Sequence, residues 1–476
     1  MKTLKNYLYN LSYQILIIII PLILAPYIAR VVGPQGVGLY SYTRSIAFYF
    51  GFIAQLGISV YGNRLISSVK DDEEQRSLAF SEALFIQLCV SCFSLVLYFV
   101  YVFFWGGEYS EAIYIQVFQL LGMCLDISWF FFGIEKFKLT LVRNVIIKIL
   151  TVLAIFTFVK EASDVYIYIL ILAFGFFATQ VSLWFYLPRY VHLTKNIKQA
   201  FRKHFKGILI LFIPVIASSL YKTMDRVMLG MIVDVVEVGY YENVQSIVET
   251  IAYVLTALGT VMLPMTTQLF LQHQERLAKQ YFRYSFHIVS FISIGSMFGL
   301  IGVSKSFIPM FYGEQFLPCI ALLQFVAPTL IFIGWSDIIR TQYMLPKYKD
   351  KQYTSAIVIG CIVNFIVNIS LIPYFHGIGA LIGTITAEMT VFFVQALRIK
   401  KEFNVFIYCY EIWPYFVFGF IMLGMIYCLD MLSLSLVMKC CIEIIVGAFI
   451  YGIMCFVYVV FKQKDMYDNI KAILKR

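Results

Sequence analysis

The segment VGPQGVGLYSYTRSI, residues 32–46, has a related copy 201 residues later in the chain, VDVVEVGYYENVQSI, residues 233–247. Six of the fifteen positions are identical, and they include the pairs Gly38/Gly239 and Tyr40/Tyr241. Each copy lies between the first and second apolar runs of its half of the chain, and an even number of runs separates the two. Both copies would therefore cross a membrane in the same direction. The repeat predicts two pseudo-symmetric lobes related by an axis along the membrane normal.

The composition of the chain is that of a membrane protein. Of its 476 residues, 61% are hydrophobic and 13% are charged, and the mean hydropathy is +0.83. Apolar runs of about 20 residues, long enough to cross a hydrocarbon core about 30 Å thick, recur along the chain. We predict an all-α polytopic membrane protein with about fourteen transmembrane helices, at residues 11–32, 38–61, 80–104, 112–133, 139–159, 165–187, 207–232, 243–270, 284–304, 317–340, 353–373, 377–397, 412–430 and 437–461.

These spans divide the chain into five predicted parts. They are an N-terminal six-helix lobe (1–190), a basic cytoplasmic linker (191–206), a C-terminal six-helix lobe (207–404), an extra transmembrane pair (411–461) and a cytoplasmic tail (462–476). The distribution of lysine and arginine gives the orientation, because short cationic loops stay in the cytoplasm. With a cytoplasmic N-terminus, 28 of the 37 cations lie on that side, three lie outside and six lie within spans. Both termini are therefore predicted to be cytoplasmic.

The six cations inside spans are the first candidates for function. A charge at the bilayer centre costs about 2.5–3.5 kcal/mol on the insertion scale, so these side chains should avoid lipid. Arginine and lysine in a closed cavity suit a diphosphate or an acidic sugar. We expect Arg340 to snorkel to the head groups, with pairing to an acid as the alternative. The remaining five form a predicted cationic lumen that binds an anionic substrate: Arg30, Arg44, Lys148, Lys222 and Arg226.

Acidic and amide side chains inside the spans supply further candidates. Asp126, Asp225 and Glu388 are predicted to couple transport to an ion or to neutralise the cations, and Glu249, Asp337 and Glu443 lie nearer the span ends. Asn364 and Asn368 lie four residues apart, on one helix face. They could contact a sugar hydroxyl or hydrogen-bond a neighbouring helix.

Several classes of function find no support in the sequence. The chain has no nucleotide-binding glycine loop, nucleophile elbow or zinc signature, so we assign no catalytic residue, metal or cofactor. The ten cysteines are scattered, and the C-x-x-C of Cys89 and Cys92 lies inside a span. The net charge of +10 is chiefly a topology signal, and it does not indicate nucleic acid as a partner. The predicted function lies between the helices, as in an alternating-access transporter.

Local sequences resemble a known family. They are PYIARVVGPQGVGLYSY (26–42), LGISVYGNR (56–64), WFFFGIEKFKLTLVRN (129–144), DRVMLGMIVDVVEVGYYENV (225–244) and TQYMLPKYKDKQYTSAIVIGCIVNFIVNISLIPYFHGIGALIGTITAE (341–388). These segments are similar to bacterial lipid-linked oligosaccharide flippases of the Wzx type, and the resemblance extends over roughly residues 5–400. It implies the fold of the multidrug/oligosaccharidyl-lipid/polysaccharide exporter superfamily.

The resemblance also implies the cargo and the cellular setting. The cargo would be an undecaprenyl-diphosphate-linked repeat unit of O-antigen, capsule or exopolysaccharide, moved outward across the bacterial cell membrane. Membrane lipids, a polysaccharide polymerase and other assembly proteins are the implied partners. The family's cationic lumen carries over to Arg30, Arg44, Lys222 and Arg226. Two features depart from it: the second repeat has Gln245 in place of Arg44, and the extra pair beyond residue 411 either binds the lipid tail or only packs.

Three other functions stay open at this point. An ion-coupled multidrug exporter of the same superfamily would carry cationic compounds and favour acids in its lumen. A membrane-bound polymerase or glycosyltransferase would need a large outer loop or an acidic metal motif, and the acidic run 71–74 is the one candidate. An uncoupled lipid scramblase would need neither.

Overall fold

A computed structural model describes residues 2–194, 197 and 199–463 of the chain. Within these residues, side chains 2–19, 21, 137, 213–215, 217, 218 and 220–222 lie outside the description. The described residues form helices and no strands. The seventeen α-helices are α1 (Lys2–Gln55), α2 (Ile58–Ser68), α3 (Glu73–Trp105), α4 (Ser110–Ile115), α5 (Val117–Cys124), α6 (Ser128–Gly133), α7 (Phe137–Phe158), α8 (Val165–Val181), α9 (Ala200–Ile232), α10 (Val235–Leu271), α11 (Glu275–Phe311), α12 (Cys319–Val326), α13 (Thr329–Ile339), α14 (Asp350–Ile399), α15 (Phe406–Glu411), α16 (Trp413–Asp430) and α17 (Leu436–Lys462).

The helical architecture follows from the bilayer as solvent. Hydrocarbon offers no hydrogen-bond partners, so a spanning segment must satisfy its backbone internally, as a helix does. Ten helical segments of the described chain are long and apolar enough to cross a membrane, and a bent pair, Gly107–Ile115 with Val117–Gly133, makes up to eleven. The predicted all-α polytopic class is therefore confirmed.

Two helices are too long for one crossing. At 1.5 Å per residue, the 54 residues of α1 and the 50 of α14 would each measure about 75–80 Å, more than twice the hydrocarbon thickness. Each contains a break: Gly33 in α1 has φ 66° and ψ −176°, and His376 in α14 has φ 50° and ψ −128°. Both breaks fall between two predicted spans. The total of fourteen crossings stays a prediction.

The chain forms two compact units, Met1–Gly239 and Tyr240–Arg476. In the first unit, α1 packs against α3, α5, α7 and α9; in the second, α11 packs against α12, α13, α16 and α17. The boundary falls within α10, in the second copy of the repeat. The predicted lobes 1–190 and 207–404 stay a prediction, as does the cytoplasmic position of both termini.

One helix begins earlier than the hydropathy predicts. The span at 207–232 belongs to α9, which begins at Ala200 inside the predicted linker. Its first turns carry Lys203 and His204, and both side chains contact Glu82 of α3. A hydropathy window counts Lys203 and His204 as loop residues because they are polar. The prediction therefore places the start of this helix too late.

The repeated glycines lie against each other in the first unit. A Cβ atom added to Gly38 would lie 1.6 Å from the carbonyl oxygen of Val235, and one added to Gly239 would lie 2.0 Å from that of Pro34. The contact is reciprocal, since Pro34 and Val235, like Gly38 and Gly239, are separated by the 201-residue shift of the repeat. The two copies of the hairpin therefore meet backbone to backbone, where any side chain would intrude.

Replacing Gly38 by alanine tests this contact. The new methyl group would overlap the Val235 carbonyl, and overpacking of this kind costs about 1–3 kcal/mol or more. We expect a clear fall in the melting temperature of the purified protein in detergent. The matched control is Gly299→Ala in α11, where an added Cβ meets nothing within 4 Å and alanine favours the helix. Equal melting temperatures for the two variants would contradict the close approach.

Candidate functional site

The predicted cations of the first unit lie on helices that pack around α1. Arg30 and Arg44 belong to α1 itself, Lys148 belongs to α7, and Lys222 and Arg226 belong to α9. Both α7 and α9 contact α1. The fold therefore brings these helices together, although the residues are as many as 196 positions apart in the sequence. The side chain of Lys222 lies outside the described part of the structure.

Arg44 is held between two aromatic rings. Its guanidinium carbon lies 5.6 Å from the ring centroid of Tyr40 and 5.0 Å from that of Phe48, one turn before and one turn after it on α1. Tyr40 in turn packs against the ring of Tyr168, with 5.2 Å between centroids. Cation–π contacts of this kind fix the position of a half-buried guanidinium and leave its N–H groups able to donate to an anion.

The other cations of the set differ in exposure. Arg30 is exposed and Lys148 is half-buried. On α9, Asp225 is buried and Arg226 is half-buried beside it. One turn beyond Arg226, Gly230 packs so closely on the ring of Tyr42 that a Cβ there would lie 2.2 Å from a ring carbon. This contact attaches the charged turn of α9 to α1.

The predicted acids occupy two different settings. Asp126 lies in the turn between α5 and α6, where its carboxylate accepts hydrogen bonds from the Ser128 backbone N–H at 2.8 Å and from the Gln55 side chain at 3.4 Å. Glu388 is half-buried in the second part of α14, which belongs to the other compact unit. The bond from Ser128 to the Asp126 side chain two residues earlier is that of an Asx-turn, and the coupling role of Asp126 stays a prediction.

Asn364 and Asn368 are buried within the second unit. The side-chain N–H of Asn368 donates to the side-chain oxygen Oδ1 of Asn364 at 3.3 Å. A Cβ on Gly383, in the following part of α14, would lie 1.9 Å from the Asn368 side-chain oxygen. Both side chains are thus packed between two helical segments, and their mutual hydrogen bond lies within one of them. Sugar contact and helix contact both stay predictions.

Arg340 is paired rather than extended to the head groups. Its guanidinium lies 2.5 Å from the carboxylate of Asp337, and it also lies over the ring of Tyr353 at 5.8 Å. The Asp337 side chain is 6% exposed. Arg340 begins a short π-helix, Arg340–Met344. The contact seen is therefore the alternative of pairing with an acid.

Two buried histidine clusters were not predicted from the sequence. In the first unit, the Glu82 carboxylate lies 2.7 Å from Nε2 of His204 and 2.9 Å from Nζ of Lys203, and Nδ1 of His204 lies 2.7 Å from the Tyr61 hydroxyl. Since an ionised carboxylate only accepts, Nε2 of His204 donates to it. Both Glu82 and His204 are buried.

The second unit contains a cluster of the same composition. The Glu411 carboxylate lies 2.7 Å from Nε of Arg283 and 3.0 Å from Nε2 of His287, whose Nδ1 lies 3.2 Å from the Tyr415 hydroxyl. The helix positions differ from those in the first unit, so the two clusters are not copies within the repeat. Each ties helices together through a histidine between a tyrosine and a glutamate.

One further cation is buried near the start of a predicted span. Arg143 lies in α7, within the span predicted at 139–159, with 9% of its surface exposed. Its guanidinium donates to the backbone carbonyl of Thr179 and to the Ser182 hydroxyl at the end of α8. Partners this far away in the sequence leave no local signal that a pattern could detect.

Outside the spans, ion pairs lower the pKa values of several carboxyl groups, among them Glu135 and Glu402. The hydrogen bond and charge of Lys70 hold the pKa of Glu135 below its usual range. Hydrogen bonds from Lys349 and then Tyr343 lower the pKa of Glu402, and Nζ of Lys349 lies 2.5 Å from its carboxylate. Glu135 and Glu402 are thus ionised at neutral pH, and each ion pair connects two loops.

Within the described residues, no group of three or more histidine, cysteine or acidic side chains could hold a metal ion.

The Glu82 cluster yields a stability prediction. In Glu82→Gln, a neutral amide replaces a carboxylate that accepts from Lys203 and His204, and a hydrogen bond to a charged group contributes about 1.5–3 kcal/mol. We expect a lower melting temperature in detergent. Glu74→Gln, at an exposed position of the same helix, is the control and should melt like the wild type. An unchanged melting temperature in Glu82→Gln would show that the cluster does not hold α9 to α3.

Comparison with known proteins relates this geometry to a family. The chain is 20% identical over 415 residues to a protein of Escherichia coli (strain K12) named "Putative O-antigen transporter", a match that covers 84% of this chain and 97% of that protein. A protein of the same name from Shigella dysenteriae is 21% identical over 392 residues, covering 80% of this chain and 96% of that protein.

Solved structures share the fold. The lipid II flippase MurJ in an inward closed conformation superposes with a TM-score of 0.77 at 17% identity, covering 95% of this chain and 99% of that chain. An inward-facing multidrug resistance MATE family transporter of the MOP superfamily gives 0.51 at 15% identity, covering 81% and 98%. The family described as "Polysaccharide biosynthesis protein" matches residues 3–270, more than half of the chain. The chain therefore belongs to the polysaccharide biosynthesis protein family, as the predicted resemblance to oligosaccharide flippases implies.

Proposed function

We propose that this protein is a flippase that moves lipid-linked oligosaccharides across the bacterial cytoplasmic membrane for surface polysaccharide synthesis. It is a multi-pass transporter whose relatives carry the name O-antigen transporter and whose fold is that of a lipid II flippase. The observation that carries the proposal for this chain is Arg44, a half-buried cation braced by two aromatic rings on the helix at the centre of the first unit.

The chemistry of such a cargo explains why a cation remains there. A lipid-linked oligosaccharide has an anionic diphosphate, a polar glycan and an apolar tail. Moving the charged diphosphate into the bilayer costs free energy, as it does for a charged side chain. An arginine lowers that cost because it neutralises part of the charge of the diphosphate. We propose that Arg30, Arg44, Lys148, Lys222 and Arg226 form a cationic path for the diphosphate. The glycan would occupy the water-filled lumen, and the tail would stay in lipid.

The transport cycle that fits this path is alternating access. The cargo would enter from the cytoplasmic leaflet as an undecaprenyl diphosphate and leave in the outer leaflet, where a polymerase of the O-antigen, capsule or exopolysaccharide pathway would use it. We propose that Asp225 balances one of the two cations of α9, Lys222 or Arg226, and that Asp126 and Glu388 are further charge partners or coupling groups. The multidrug exporter alternative would carry cations, for which a path lined by arginine and lysine is repulsive.

The leaflet distribution of the substrate tests this function in cells. In cells lacking the protein, lipid-linked oligosaccharide should accumulate in the cytoplasmic leaflet, as judged with a probe that acts only from outside. The wild-type protein should restore outward movement. Arg44→Ala should slow it about 10–100-fold at equal protein level, because one charge-assisted contact of about 1.5–3 kcal/mol is lost, and Arg44→Lys should be milder.

Arg202→Ala, at an exposed position in the first turn of α9, is the matched control and should transport normally. If the deletion leaves the leaflet distribution unchanged, the protein is not the flippase, and cation efflux becomes the next test. If Arg44→Ala transports at the wild-type rate, the cationic path is wrong although the function stands.

A further inference from the structure

An apolar cavity in the second unit contains one acidic side chain. The cavity has a volume of about 420 Å³ and lies between α10, α11, α16 and α17. The space beside Gly299 of α11 is empty, since a Cβ there would meet nothing within 4 Å. The walls of the cavity are hydrocarbon and aromatic, except for the carboxyl group of Glu443 and the hydroxyl groups of Ser296 and Tyr451.

Glu443 is incompletely satisfied by the protein. Its residue surface is 1% exposed, and its Oε2 atom has no hydrogen-bond partner among the described residues. The Ser306 side chain is its one hydrogen-bonding neighbour in the described structure. A buried carboxyl group with a vacant acceptor is costly in an apolar site, and an intramembrane acid of this kind marks a functional site.

The lysines near Glu443 are already bound to another acid. Lys439, one turn earlier on α17, lies 2.6 Å from Asp430, and Lys305 of α11 lies 3.7 Å from the same carboxylate. Asp430 therefore holds both ammonium groups at the end of the cavity. The free oxygen of Glu443 is left for a donor that enters the cavity.

The aromatic walls suit a donor that is also a cation. Phe291, Phe307 and Tyr451 line the cavity, and because Phe291 and Tyr451 stack on each other with 5.3 Å between centroids, each offers a ligand only the ring face turned away from the other. Ring faces attract an ammonium group, most strongly where water is excluded. An apolar chamber with aromatic faces and one carboxylate has the chemistry for an organic cation that carries a hydrocarbon group.

We propose that this cavity is a binding site for lipophilic organic cations, with the ammonium group at Glu443 and the hydrocarbon between α11 and α17. The site is separate from the cationic path of the first unit and takes a ligand of the opposite charge. It does not depend on the identity of the transported cargo. The competing occupant is an uncharged lipid chain, for which Glu443 would be irrelevant.

The test compares a cation with its neutral isostere. The probes are 4-phenylbutylammonium, whose N–H groups can donate to the Glu443 carboxyl group, and pentylbenzene, in which a methyl group replaces the ammonium group, and both are titrated against the full-length protein in lipid nanodiscs. We expect the cation to bind at least about tenfold more tightly, a preference that corresponds to about 1.4 kcal/mol. Glu443→Gln should abolish the preference, whereas Glu314→Gln, at an exposed position, should keep it.

A second variant covers the case in which Glu443→Gln does not fold. Asp430→Asn releases Lys439, which lies four residues from Glu443 on the same helix face and would compete for its carboxylate. We expect the cation preference to fall in this variant as well. Equal binding of the two probes to the wild type would overturn the proposal and leave an apolar cleft for lipid chains. A cation preference that survives either substitution would also overturn it.

Discussion

The backbone contact between Gly38 and Gly239 is the constraint on which the arrangement of the first unit depends. It places the start of α10 against the turn of α1, at a separation that no larger residue permits. Arg44 follows Gly38 on α1, and Arg226 of α9 precedes Gly239 of α10, so both cations lie a short distance along the chain from this contact. Because Pro34 and Val235 complete the contact reciprocally, the local symmetry of the hairpins is a property of the structure as well as of the sequence.

Charges inside the helices are the second determinant of this structure, and they are stabilised in three ways. Arg340 has an acid three residues away, Arg143 has carbonyl and hydroxyl acceptors on another helix, and Arg44 has aromatic rings. The first two arrangements direct part of the guanidinium at protein acceptors. The third uses the aromatic rings instead and leaves the N–H groups able to bind an anion, which distinguishes Arg44 as the candidate for substrate contact.

The sequence predicts those features whose signal is local. Apolar runs predict the helices, and Gly33 coincides with the break in α1. The glycines that the two repeat copies share, Gly38 and Gly239, mark the same position in each copy. The sequence does not predict the contacts of Glu82 with His204, because those residues are 122 positions apart and neither has a neighbour that reveals the partner. Asp337 and Arg340 lie three residues apart, a spacing that places both side chains on one helix face, so this pairing is a local feature that the sequence does indicate.

Transport by the purified protein tests the central claim most directly. The protein is reconstituted into liposomes that carry a lipid-diphosphate oligosaccharide in both leaflets, and substrate exposed outside is removed enzymatically over time. The account predicts that the wild-type protein makes the inner pool accessible, and that liposomes with Arg44→Ala do so far more slowly. An inner pool that stays protected with the wild-type protein, or that becomes accessible equally fast with Arg44→Ala, would contradict the account.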